Sequence, residues 1–71
     1  MKSYIIYCGY QILGEQADWS EHVSARNELE ALKAGKQSIL AQSVRRPDEY
    51  GVNVAQADNP EHVIIGMDYI G

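Results

Sequence analysis

One stretch of this chain reads as a helix, and it decides what the remainder must do. In "ADWSEHVSARNELEALKAG", Trp19, His22, Ala25 or Arg26, Leu29 and Leu32 recur at steps of three and four. That spacing turns one stripe towards a core. Asp18 with Glu21 has the form of a capping box, and acids in a first turn suit the helix dipole. Ser24 is a competing cap that starts the helix one turn later. Gly35 follows a run of strong helix formers, with Lys33 in the last turn and Lys36 just beyond, and reads as the C-terminal stop. The spacing therefore predicts one helix within residues 18–35.

The flanking segments read as strands. "SYIIYCGYQIL" is rich in Ile and Tyr, and both of its alternating sets are largely apolar. It is either one long strand over 3–13 bulged at Gly9 or a hairpin turning on Cys8-Gly9, the single strand being favoured. "SILAQSV" could extend the helix, but the Gly35 stop and its β-branched ends favour a strand over 38–45. "RRPDEYG" supplies a turn in which Pro47 fixes φ and Asp48 bonds the backbone ahead. "GVNVAQ" reads as a strand over 51–56, "ADNPE" as a second turn, and "HVIIGMDYI" as a strand over 62–70. In that last strand Val63, Ile65, Met67 and Tyr69 share one face. The expected order is β-α-β-β-β: an α+β class, two-layer fold with one helix on a mainly antiparallel sheet. Leu29, Leu32, Val63, Ile65 and Ile6 are the expected core.

At 71 residues the chain is expected to form a single domain, 1–71, near the lower limit for a self-sufficient core. The apolar run near its start is interrupted by Tyr, Gly and Gln, so neither a signal peptide nor a membrane span is expected. One cysteine forms no internal disulfide, which makes a cytoplasmic location the default. The net charge of −4 is unevenly spread: residues 31–47 sum to +4, residues 1–30 to −3 and residues 48–71 to −5. A two-signed surface of this kind speaks to partners rather than to fold.

Several chemistries fail on spacing. Gly9 and Gly14 have the separation of a phosphate-binding loop, but Glu15 stands where that loop needs Lys. Gly35-Lys36 is followed by Gln37, and it closes a helix instead of opening one. Cys8, His22 and His62 lie on three separate elements, so neither a metal site nor a cofactor is expected. Asp58 and Glu61 flank a proline and read as turn chemistry. Cys8 in an apolar strand reads as an inert small hydrophobe, and no enzyme is expected. Lys33, Lys36, Arg45 and Arg46, with Tyr50 as a stacking ring, form a thin footprint for nucleic acid amid ten acids.

Interaction remains. One helix covers one face of a sheet and leaves the other open, and the chain uses five tyrosines and no phenylalanine. Tyrosine buries its ring while its hydroxyl tolerates water, which suits a partner surface and equally a core margin. The expected partner-binding residues are Tyr7, Tyr10, Arg45, Arg46, Asp48, Glu49 and Tyr50, from the uncovered face and the "RRPDEYG" turn. The expected function is a small non-enzymatic binding or inhibitory protein, with a second copy as one candidate partner. Its size and acid-rich, two-signed charge are similar to those of many small phage and mobile-element proteins, anti-CRISPR inhibitors among them. That likeness rests on size and charge, and no motif identifies a family. The alternative is a nucleic-acid-binding or regulatory module using the basic segment 33–46.

Overall fold

The computed structural model describes residues 1–10 and 17–70. Along the chain come β1 (Lys2–Tyr10), β2 (Trp19–Ala25), α1 (Glu28–Ala41), a short 3₁₀ turn (Pro47–Glu49), β3 (Tyr50–Gln56) and β4 (Asn59–Tyr69). The expected class holds: one helix packs on a four-stranded antiparallel sheet. The chain order is β-β-α-β-β, because a strand precedes the helix where the helix was expected to begin. Spatially the strands run β2-β1-β3-β4. Both β2 and β3 pair antiparallel to β1, so they are parallel to each other, with β1 between them. The helix joins them across one face of the sheet.

The helix boundaries differ from expectation for physical reasons. Residues 19–25 alternate: Trp19, Glu21 and Val23 stand opposite Cys8, Ile6 and Tyr4, while Ser20, His22 and Ser24 face the other way. The steps of three and four competed with this period of two, and the chance to pair with β1 decided for the strand. Neither Asp18 nor Ser24 caps the helix. Asn27 does, accepting from the Glu30 N–H at 3.0 Å, while the Glu30 carboxylate accepts from the Arg26 N–H at 3.2 Å. This is close to the reciprocal capping pattern, with the return bond at Arg26, one residue before the cap, and the cap nine residues beyond Asp18.

Gly35 does not end the helix. It is a buried mid-helix residue packed tightly on the sheet, where a Cβ would lie 2.6 Å from Val52 Cγ1. "SIL" therefore continues the helix, and the strand expected over 38–45 is absent. The turn after Ala41 is closed by the Gln42 N–H, which donates to Ser38 and Ile39 carbonyls. Ser43 then takes a left-handed conformation at φ 54°, the position a glycine usually fills.

The core lies between α1 and the central strands. Tyr4, Ile6 and Cys8 of β1 and Val52 and Val54 of β3 meet Ala31, Leu32 and Ile39 of the helix. Of the expected core, Ile6 and Leu32 are buried and Ile65 is half-buried against it. Leu29 and Val63 are exposed. Leu29 misses the core because a helix starting at Glu28 turns Ala31, Leu32, Gly35 and Ile39 inward instead. Val63 misses it because β4 is bulged. Its register against β3 shifts at three places, and Val63 and Ile65 face the adjacent residues Ala55 and Val54, hence opposite faces. The bulge expected at Gly9 is not there, since β1 pairs with both neighbours in unbroken register. The β3–β4 turn falls at Ala57–Asp58, and Pro60 already belongs to β4. Residues 11–13, expected to end the first strand, and Gly14 and Glu15 lie outside the described residues.

Candidate interaction surface

Polar side chains fasten the helix to both edges of the sheet. On the β2 side the Trp19 indole N–H donates to Ser38 Oγ at 3.3 Å, and the Ser38 hydroxyl donates to Glu21 Oε1 at 2.6 Å. On the β4 side Lys36 Nζ lies 3.1 Å from Asp68 Oδ2. Two anchors on opposite edges hold the helix over the centre, so the helix-side face is committed to the core.

The seven expected contact residues divide by face. Tyr10 and Tyr50 are paired directly across β1 and β3 on the helix side, with ring centroids 4.7 Å apart. Trp19 stacks against Tyr50 at 5.7 Å. Tyr50 is buried, its ring packed into the core, and Tyr10 is half-buried beside it. Burial, with the Asp18 carboxylate alongside, raises the Tyr50 hydroxyl above its ordinary pKa. The turn before Tyr50 is built on Arg46 in the left-handed region at φ 52°, whose carbonyl accepts from the Glu49 N–H at 2.9 Å. Arg46 Nη1 also stands 3.6 Å from Glu49 Oε1. Arg45, Arg46 and Asp48 are exposed and Glu49 half-buried, which leaves this turn as a charged knob without an aromatic anchor.

Tyr7 does lie on the face away from the helix, together with Ile5. One row across that face runs His22, Ile5, Ala55 and Val63. Next to it run Ser20, Tyr7 and Asn53, and Gly9 stands beside Gly51. The face is not bare. Met67 and Tyr69 lie over Gly51, within 2.9 Å of where its Cβ would be. The Tyr7 hydroxyl donates to the Pro60 carbonyl at 3.0 Å, drawing the start of β4 across the face. What stays open is the β2 half, with Ser20 and His22 exposed, and the middle of the edge strand, where Val63 and Ile64 are 43% and 37% exposed.

Among the described residues, reactive groups do not converge. Cys8 is fully buried, its Sγ donating to the Gly35 carbonyl at 3.9 Å. Burial first, and the Glu21 carboxylate second, push its thiol up to about 11. Such a thiol stays protonated and is a poor nucleophile near neutral pH. Among the described residues, no three His, Cys, Asp or Glu side chains gather as metal ligands. No described helix is long and apolar enough to cross a membrane. Two open hollows, of about 330 and 560 Å³, are lined by Tyr7, Ala17, Trp19 and Ser20 and by Lys2, Ser3, Gln56, Ala57 and Asp58. Neither holds a histidine or a cysteine.

No protein-family model, curated protein or solved structure matches the chain. The functional reading therefore rests on the surface itself. Sequence reasoning missed the exposed Leu29 and Leu40 on the helix. Leu29, Leu32, Ile39 and Leu40 fall within about 100° of the helix circumference, the width of one ordinary apolar stripe, so no local signal marks the outer pair as exposed.

Proposed function

We propose that the protein is a small non-enzymatic binding or inhibitory protein that acts by occupying a partner's surface. The observation that carries this reading is the exposed apolar middle of β4. This strand forms one edge of the sheet, with no strand outside it among the described residues. Proteins blunt such edges with charge, proline and bulges. Pro60, Glu61 and the register shifts do so at the start of β4, and Asp68 does so near its end. Val63, Ile64, Ile65 and Gly66 between them carry no charge, and they adjoin the open face at Val63. The contact is therefore centred on Val63 and Ile64, with Ile5 and Tyr7 behind them and the Arg45–Asp48 knob at the opposite end of β3.

The test begins with a tagged pull-down from the native host, followed by affinity measurement with the partner recovered. Val63→Glu and Ile64→Glu are each expected to weaken binding by at least about tenfold, with the circular-dichroism melt unchanged because both side chains are exposed. Arg46→Glu is expected to act mainly on the association rate. Wild-type affinity in both β4 variants overturns the reading.

The nucleic-acid alternative is weakened by the ion pairs. Lys36 and Arg46, two of the four cations in the basic segment, already face Asp68 and Glu49. Retention on heparin at about 0.15 M salt would favour it over a protein contact.

A further inference from the structure

The helix carries an exposed stripe of its own, and its chemistry is distinct from that of the sheet face. Leu29 and Leu40 are 67% and 59% exposed. At roughly 100° per residue, Lys36 and Leu40 fall within about 20° of Leu29 around the helix, and Lys33 within about 40°. Leu29, Lys33, Lys36 and Leu40 thus form one seam at steps of four, three and four, about 16 Å long. This is the spacing with which one helix packs along another. The Lys36–Asp68 ion pair turns this flank of the helix towards β4, away from the centre of the core. Leu29 stands between Glu28 and Glu30, while Lys33, Lys36 and Leu40 belong to the one segment, 31–47, that carries +4 and no acid in a chain of net −4.

We propose that this seam docks an amphipathic helix that places acidic residues between apolar ones. The partner's apolar residues would cover Leu29 and Leu40, and its carboxylates would pair with Lys33, beside a Lys36 that already pairs with Asp68. Charge selects this occupant over a second copy. Two such helices packed antiparallel about their common centre set Lys33 of each against Lys36 of the other. The proposal rests on reading the chain as a binding protein, and it adds a contact separate from Val63 and Ile64.

The probe is a labelled synthetic amphipathic helix of about four turns, with leucines along its seam and glutamates between them. A second peptide carries lysine at each glutamate. Fluorescence anisotropy is expected to show saturable binding of the acidic peptide, at least about tenfold tighter than the basic one and weakening as salt rises from about 50 to 200 mM. Lys33→Glu is expected to reverse the preference. Leu29→Ser is expected to weaken binding of both, and Val63→Glu to change neither. Leu29 and Lys33 are exposed, so both variants keep the wild-type dichroism spectrum. No saturable binding up to about 1 mM acidic peptide, equal binding of the two peptides, or a wild-type dimer that Leu29→Ser splits overturns the proposal. Absent peptide binding alongside a native partner still lost in Val63→Glu overturns the seam alone and leaves the binding reading standing.

Discussion

Cys8 shows how position rewrites the chemistry of a single side chain. On β1 it is fully buried under the helix, opposite Val52 and against the Gly35 carbonyl, where solvent does not reach its thiolate and the Glu21 carboxylate opposes it. Its thiol is accordingly raised from the ordinary 9.0 to about 11. Below pH 9 the thiol is protonated in both folded and unfolded chains, and its contribution to stability is fully present. Between 9 and 11 the unfolded chain releases the proton while the folded chain keeps it, so stability falls as pH rises. The interval corresponds to a loss on the order of 2–3 kcal/mol. Denaturant melts at steps across pH 8–11 are expected to show this decline. Cys8→Ala is expected to make the decline shallower, leaving the slope of the same sign that Tyr50 contributes. An unchanged slope in Cys8→Ala would assign the decline elsewhere.

At the scale of the element, the helix begins where its cap is and not where its apolar spacing begins. Asn27 satisfies the Glu30 N–H, and the acids Glu28 and Glu30 sit in the positive first turn. Asn27→Ala is expected to destabilise by about 1 kcal/mol. Ser24→Ala, at a residue exposed on β2, is expected to change stability by less than about 0.5 kcal/mol. Equilibrium denaturation of the two variants checks the order, and equal effects would contradict the helix start. The same boundary explains the leucines. Starting at Glu28, the helix turns Leu32 inward and Leu29 outward, so two residues of one type three positions apart serve a core and a surface.

For the whole molecule, the decisive dimension is the gap between the helix and the sheet, and Gly35 sets it. Alanine in place of a mid-helix glycine ordinarily gains about 1 kcal/mol from helix propensity. Here the added methyl would meet Val52 Cγ1 at 2.6 Å and Cγ2 at 3.2 Å, in a core closed on both sides. Overpacking of that kind costs about 1–3 kcal/mol, which outweighs the gain. Gly35→Ala is expected to lower the denaturation midpoint, and Val52→Ala in the same chain to recover part of the loss relative to Val52→Ala alone. A Gly35→Ala chain more stable than wild type would show that the helix can lift off the sheet without loss.

The sequence determined the parts whose signals are local. β-branched and aromatic runs located β1, β3 and β4, and the helix formers of residues 28–34 located the first half of α1. The proline at 47 marked the turn into β3, and its polar, charged composition marked Arg45, Arg46 and Asp48 as exposed. Contacts between distant segments settled the rest. Residues 19–25 satisfy a helical and a strand period alike, and pairing with β1 chose between them. Gly35 has the local signature of a stop, but here it admits Val52. Tyr50 resembles a surface anchor until Tyr10 and Trp19 close around its ring. The alternation along β4 predicts one apolar face, which its bulges divide between the two sides of the sheet. In each case the deciding contact joins residues distant in the chain, so its free energy appears in no short window of sequence.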